Sequence, residues 1–351
     1  MARVRHIAIV GAGLAGLAAA VAATAAGLRV EVHEAAAAPV EPQAHLDVVP
    51  NLLRDLVGLG LGPACVRHGF PYQGMAMVDG QGRALFEIAM PGLAGPGWPS
   101  SLGMVYGDLL RLLRQTAQDQ GAQLLWGRPV ARPGALPASD LTLIACGAPG
   151  LARAGLSLTP LPQQWCHALL PRPRALERST WVVGQRGAKA LLVPVSLQQA
   201  GIALMQPVQA PSTPAALRAV LEGQGPLLQS LAAHWHDDVP TLARPVRSGL
   251  LQGDWHEGAT LRIGHSAHVL PPHFGQAAAQ VVEDAVVLGD LLRQRPEREA
   301  LLQAFNQRRG PRARQLHALT NQAALWDLQP EAATDLPALA ERLAPLVAQP
   351  A

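Results

Sequence analysis

The first third of the chain alternates between two periods of apolar and polar positions. From His6 it runs HIAIVGAGLAGLAAAVAATAAGLRVEVHE to Glu34. Ile7, Ala8, Ile9 and Val10 form a short apolar run of the kind a strand buried on both faces needs. The run stops at Gly11-Ala12-Gly13-Leu14-Ala15-Gly16, and the alanine-rich residues 17–26 predict a helix that Gly27 ends. Residues 29–33 alternate as a second strand, with Glu34 at its end.

Beyond a small, proline-punctuated loop at 35–42, residues 46–61 place Leu52, Leu53, Leu56 and Val57 at helical spacing, with Pro50 near the start. Residues 75–88 give two strand-like runs around Asp79-Gly80, a hairpin signal, and 91–99 hold enough proline and glycine to be a loop. Residues 108–120 predict an amphipathic helix with Leu109, Leu110, Leu112, Leu113 and Ala117 inward and Arg111, Arg114 and Gln118 outward. Short strands are expected at 123–126 and 129–131, and a buried one at 140–145 leading into Cys146-Gly147. After residue 161 the pattern changes to strand candidates at 180–183, 190–195 and 202–205 divided by Gly, Pro and Gln, which predicts a sheet-rich insertion. Helix returns at 215–235, a last buried strand is expected at 261–264, and helices follow at 276–293, 297–321 and 336–346. The fold class expected is α/β: a Rossmann-like dinucleotide-binding domain with an inserted sheet-rich domain and C-terminal helices.

Composition narrows the picture. A chain of 351 residues with 49% hydrophobic content can bury a large core and suggests two domains at about 100–200 residues each. The net charge is +3, and the nearest thing to a basic run is Gln307-Arg308-Arg309-Gly310-Pro311-Arg312-Ala313-Arg314, which argues against a nucleic-acid partner. Three scattered cysteines, Cys65, Cys146 and Cys166, fit a reducing cytoplasm and neither a disulfide framework nor a paired-ligand metal site. No apolar stretch free of glycine reaches spanning length, so a soluble protein is expected. His234-Trp235-His236-Asp237-Asp238 reads as a solvated helix end, and no Gly-x-Ser-x-Gly elbow surrounds Ser100, Ser101 or Ser266.

The glycine turn carries the first chemistry. Gly11 permits a sharp turn, Gly13 leaves room for a pyrophosphate, and Gly16 lets the helix sit close on the strand. The helix's free N–H groups favour an anion there, and Glu34 is placed to accept from ribose hydroxyls. An adenine dinucleotide is implied, with FAD and NAD both open.

Residues 262–292, RIGHSAHVLPPHFGQAAAQVVEDAVVLGDLL, supply a second motif. A proline turn feeds a helix at Gln276 whose N–H groups point back toward whatever precedes it. Gly264, Ser266-Ala267-His268, Pro271-Pro272, Gly275-Gln276-Ala277 and Glu283-Asp284-Ala285 resemble, in order and spacing, the FAD-binding signature of the para-hydroxybenzoate-hydroxylase-like class A flavoprotein monooxygenases. Residues 49–56, Asp108-Leu109-Leu110, 140–147 with Arg153, 181–194 and 305–314 fall into that family's order too, so the resemblance covers most of residues 1–320.

The resemblance implies resident FAD with NAD(P)H as transient reductant, and hydroxylation of an aromatic or similar electron-rich small molecule by O2 through a flavin C4a-hydroperoxide. It implies an FAD-binding domain of residues 1–74, 100–160 and 255–320, a substrate domain of 75–99 and 161–254, and a helical tail at 321–351. Cofactor contacts are expected at Gly11, Ala12, Gly13, Leu14, Ala15, Gly16, Glu34, Ala35, Tyr106, Val130, Cys146, Gly147, His265, Pro272, Gly275, Gln276, Ala277 and Ala278. His273, Gly275 and Gln276 are the candidates for the catalytic side, no metal is expected, and the assembly is a monomer or homodimer. Three positions depart from the pattern: His265 and Cys146 stand where the family has aspartates, and Tyr106 where it has an arginine. A flavin dehydrogenase or reductase without oxygen insertion, or a catalytically silent FAD-binding homologue, therefore stay open.

Overall fold

The computed structural model describes residues 3–132, 136, 138–147, 155–184, 189–328 and 334–351. The chain opens with β1 (His6–Val10), α1 (Leu14–Ala25) and β2 (Arg29–His33), a parallel pair joined by a helix. Then come β3 (His45–Val48), α2 (Pro50–Gly58), α3 (Gly62–His68), β4 (Phe70–Tyr72), the hairpin of β5 (Met75–Asp79) and β6 (Ala84–Ile88), and β7 (Ser101–Val105). Next are α4 (Tyr106–Asp119), β8 (Gln123–Leu125) and β9 (Leu141–Ile144). The middle holds β10 (Thr159–Pro171), β11 (Ser179–Val183), β12 (Lys189–Pro194), β13 (Gln199–Pro207), α5 (Pro214–Leu221), α6 (Pro226–Ala232) and β14 (Leu242–Leu250). The last part comprises β15 (His256–Glu257), β16 (Thr260–Arg262), β17 (His268–Val269), α7 (Gln276–Arg293), α8 (Arg298–Leu328) and α9 (Leu336–Ala348).

These strands make three sheets. One has the order β15-β16-β9-β1-β2-β8, parallel from β16 to β8; a second has β17-β14-β10-β13-β12-β11-β5-β6; a third, small one has β3-β7-β4. Ile7, Ile9, Val30, Val32, Leu141 and Leu143 are all at most 1% exposed, as a parallel sheet covered on both faces requires. α1 packs on α7 closely enough that a Cβ on Gly289 would meet Ala22 Cβ at 3.0 Å. The large sheet has two different faces. Cys166, Ala168, Val182, Leu192, Ile202 and Leu204 pack beneath α5 and α6 around Trp235, while Leu161, Trp165, Ala203 and Val246 line the other face.

Several local expectations are corrected. Residues 46–48 belong to β3, and the helix begins at Pro50, whose fixed φ suits a first helical turn. Residues 129–131 form no strand. The helix expected over 215–235 is two helices, because Gly223 and Gly225 take left-handed φ values of 79° and 106° between them. His234 and His236 are exposed, but Trp235 is fully buried, so the segment is an anchor and not simply a solvated end. The 13-residue β10, the 9-residue β14 and the small third sheet had no clear period-2 signal. Arg153 lies outside the described residues.

Candidate functional site

The two glycine motifs meet. Gly11 has φ +105° and its N–H donates to His33 O at 2.9 Å; a Cβ there would come within 3.0 Å of Cys146 Cα. A Cβ on Gly16 would sit 1.8 Å from Gly11 O, so helix and turn close only on glycine. Gly264, φ +57°, places its Cα so close to α1 that a Cβ would meet Ala15 Cβ at 2.6 Å. Gly147 borders His265: a Cβ on it would lie 3.9 Å from the His265 Cβ.

Gly13 is the exception, and it tests whether a dinucleotide fits. A Cβ on it would meet nothing within 4 Å, so the protein itself does not require glycine there and the space above it is open to a ligand. No side chain caps the start of α1. Beside it a pocket of about 180 Å³ is lined by Ala12, Gly13, Glu34, Pro39, Arg114 and Trp126. The Glu34 carboxylate accepts from Ala12 N at 2.7 Å and Ala36 N at 2.9 Å. Each oxygen keeps a lone pair, so both hold the loop while remaining able to accept from a ribose. The residues present fit the adenosine end of FAD. Ala35, next to them, is exposed.

Farther along the cleft the walls are polar side chains. Tyr106 begins α4, its N–H fixed to Ala44 O at 2.7 Å, and burial pushes its phenol up to about 12. His265 follows β16 and is exposed at the surface, with protein around it that desolvates the ring. Burial first, then His268 and Arg244, hold its pKa down to about 4, so it is neutral at neutral pH. On the turn into α7, Phe274 and Gly275 take φ values of 61° and 67°, consecutive left-handed conformations of which the first is strained for an aromatic residue. A Cβ on Gly275 would meet Val49 at 2.6 Å, and no side chain caps α7, so the N–H groups at Gln276, Ala277 and Ala278 are left uncapped by side chains where Pro272 leads into the helix. The Gln276 side chain turns away from the cleft, exchanging hydrogen bonds with Asn51 of α2 at 3.0 and 3.2 Å. Val130 is half-buried in the coil after β8, and Cys146 is half-buried behind Gly11.

His273 is 5% exposed and stands edge-on to Trp165, 5.7 Å between ring centres. Its Nε2 is 2.7 Å from Asp327 Oδ2, and Lys189 Nζ donates to Asp327 Oδ1 at 2.5 Å; Nδ1 has no partner. Burial would raise the Asp327 carboxyl, but His273 and Lys189 together hold it below the ordinary range. Trp165 also packs edge-to-face on Trp181 at 5.7 Å, and His167 lies against His45 with the rings tilted by 49° and 5.3 Å between centres. Burial holds His45 down to about 3 and His167 to about 4, and both leave Nδ1 unpartnered.

Sequence reasoning missed what clamps the second motif. Arg309, from the run that resembled a surface basic stretch, is fully buried. Its guanidinium donates to Asp284 Oδ1 at 2.6 Å, to Glu283, and to Gln280 Oε1 at 2.9 Å. Asp284 in turn accepts from Gly264 N and pairs with His268 Nε2, both at 2.8 Å. Burial opposes its charge, but His268 and Arg309 hold it down to about 2. The signal was available: Arg309 falls at helical spacing from Phe305 and Ala313, which are at most 1% exposed. Among the described residues no group of His, Cys, Asp and Glu could hold a metal ion.

No family model matches the chain. Among curated proteins it is 24% identical over 346 residues to the putative FAD-dependent monooxygenase YetM of Bacillus subtilis, covering 91% of this chain and 92% of that one. It is 26% identical over 349 residues to the FAD-dependent urate hydroxylase of Klebsiella pneumoniae, covering 88% and 86%. Among solved structures, a tetrameric form of 2-methyl-3-hydroxypyridine-5-carboxylic acid oxygenase superposes with TM-score 0.81 at 18% identity, over 95% of this chain and 94% of that one. Klebsiella pneumoniae HpxO complexed with FAD and uric acid superposes with TM-score 0.78 at 24% identity, over 98% and 92%. The chain has the fold of these oxygenases and is similar along most of its length to FAD-dependent monooxygenases. Among the described residues no helix is long and apolar enough to cross a membrane.

Proposed function

We propose that the chain is an FAD-dependent monooxygenase that hydroxylates a planar, electron-rich ring at the expense of NAD(P)H and O2. The observation that supports this reading is the meeting of the two glycine motifs, where a Cβ on Gly264 would touch Ala15 of α1 next to the open space at Gly13, together with the uncapped start of α7 and the contact of His273 before it with Trp165 of the large sheet. FAD, held at Gly11, Gly13 and Glu34 and along His265 and α7, supplies the redox chemistry and the activation of oxygen.

The protein's own part is binding, orientation and proton handling. Trp165, Trp181 and Met205 give the ring an apolar wall. The first turn of α7 directs N–H dipoles at negative charge that develops beside it. His273, oriented through Nε2 by Asp327 and packed on Trp165 of this wall, takes up or returns a proton on a ring substituent. The relatives named for urate and for a hydroxypyridine carboxylic acid favour a heteroaromatic substrate of that size. We take the protein to act in the cytoplasm as a monomer or homodimer.

The test is to purify the protein, record its visible spectrum, and screen aromatic and heteroaromatic compounds for stimulation of NADPH and NADH oxidation under labelled oxygen gas. A yellow protein that inserts one labelled oxygen into its product is expected. Stimulated oxidation with an unlabelled product would replace this reading with a dehydrogenase or reductase.

A further inference from the structure

Among the described residues, the three positions that depart from the resembled FAD-binding pattern bring no positive charge to the site. Tyr106, Cys146 and His265 occupy them; the tyrosine is neutral, burial keeps the histidine neutral, and a thiol carries no positive charge. A diphosphate held in a partly enclosed cleft calls for a charge-assisted partner, most often arginine.

Arg244 is placed to supply one from the opposite side. It lies on β14 directly across the ladder from Trp165 of β10. Val246, two residues on, joins Trp165 in the cluster on the cleft face, whereas Ala243 packs on the opposite face with the α5 and α6 core. Alternate strand residues share a face, so the Arg244 side chain leaves β14 on the cleft side. It is exposed and makes no ion pair or hydrogen bond with another described residue. Its charge is felt on three surrounding groups, in each case secondary to burial: it disfavours the protonated forms of His167 and His265 and favours ionisation of Tyr106. Tyr106 starts α4 and His265 follows β16, so the charge of one guanidinium on the large sheet bears on both positions where the resembled pattern is broken.

The geometry points to Arg244 as the residue that reaches across the cleft to hold the diphosphate of the bound dinucleotide, replacing from the sheet the cation that Tyr106 does not provide at the start of α4. This rests on the FAD reading above. A cation supplied by the sheet also ties cofactor retention to the seating of β14 over the cleft, a coupling that an arginine on α4 would lack.

The experiment is titration of flavin-stripped protein with FAD, followed by flavin fluorescence, for wild type, Arg244→Met, Arg244→Lys and the double variant Arg244→Met with Tyr106→Arg. Circular dichroism checks that each is folded, and riboflavin, which has no phosphate, is the control ligand. Loss of a charge-assisted contact predicts that Arg244→Met raises the FAD Kd by about 10- to 100-fold, with Arg244→Lys between it and wild type. Riboflavin affinity should not change, and Tyr106→Arg should restore at least about tenfold of the FAD affinity lost. FAD bound equally by wild type and Arg244→Met overturns the proposal alone, as does a folded double variant no better than the single one. An Arg244→Met effect confined to the KM of anionic ring substrates also overturns it, assigning the arginine to substrate. Wild-type protein that takes up no FAD removes the reading beneath the proposal, and the proposal with it.

Discussion

At the adenosine end of the cradle the backbone does most of the holding: Gly11 and Gly16 are locked against each other, Gly13 faces open space, and the Glu34 carboxylate is fixed by two N–H groups of its own loop. At the proposed flavin end the candidate residues are side chains from distant parts of the chain, namely Tyr106, His265, His273, His167 and Arg244, and a buried ion network tethers Gly264 next to His265. The first construction is compact in sequence and tolerates little change. The second is dispersed, and it is there that His265, Cys146 and Tyr106 depart from the resembled pattern.

That contrast is broken most severely at the scaffold. Arg309→Met leaves Glu283 and Asp284 buried beside each other without their main cation, although Arg312 still reaches Glu283 at 2.8 Å. Breaking one side of a buried ion network costs about 3–5 kcal/mol, and urea unfolding should show it as a lower midpoint. Gly264 and the lip at His265 lose their tether to Asp284 at the same time, so FAD content should fall with stability. A variant as stable as wild type would mean that the ions behind the flavin end are not what fixes it.

Gly13→Val separates ligand space from fold. Nothing in the protein lies within 4 Å of the added Cβ and the residue has φ −81°, so thermal stability without cofactor should stay within about 0.5 kcal/mol of wild type. FAD affinity should fall more than about 100-fold because the side chain takes the space of the diphosphate. Gly16→Val is the contrasting variant: its Cβ would collide with Gly11 O, so it should lose the fold itself. Retained FAD in folded Gly13→Val would contradict the assignment of the turn.

The same contrast explains what was legible in the amino-acid order. Residues 6–34 place strand, turn, helix, strand and acid within one local stretch, and hydrophobic period and glycine spacing report them directly. Helices α4 and α7 were legible for the same reason, each carrying a clean apolar stripe or a motif at its start. Illegible were features whose partners lie far away. Trp165 meets Arg244 only through strand pairing, and Arg309 meets Asp284 only because α8 packs on α7. Gln276 shows the limit of a motif: the pattern places the residue at the cofactor, but its side chain is engaged by Asn51, 225 residues earlier. Its backbone N–H, at the helix start, is what faces the cleft.

A pH series sharpens the comparison further. His45 and His167 have folded pKa values pushed to about 3 and about 4, against 6.5 for the free side chain. The unfolded chain therefore binds protons that the folded one refuses between those limits. Stability is present above about pH 6.5 and is lost as pH falls toward 4, by at most about 1.4 kcal/mol per pH unit for each histidine. The groups facing them are Arg244 on β14 and Trp165 on β10, neither of which supplies a compensating acid. Unfolding midpoints measured from pH 7 to pH 5 should drop, and His167→Gln should flatten the slope. An identical slope in that variant would place the pH dependence elsewhere.

The smallest effect is expected where one carboxylate serves two side chains. Asp327, near the end of α8, accepts from His273 in the turn before α7 and from Lys189 on β12, joining the cleft wall to a partly exposed lysine. Asp327→Asn keeps the shape but replaces a charged acceptor with a neutral one, weakening the orientation of His273 by the value of one charge-assisted bond, about 1.5 kcal/mol. Substrate-stimulated NAD(P)H oxidation should then turn over about tenfold more slowly, with FAD content unchanged because Asp327 holds His273 and Lys189 and makes no contact with Gly13 or Glu34. Lys189→Met, which leaves the contact between His273 and Asp327 in place, should cost less. If Asp327→Asn loses FAD and retains its rate per bound flavin, the pair is a strut for the α7 turn and not part of proton handling.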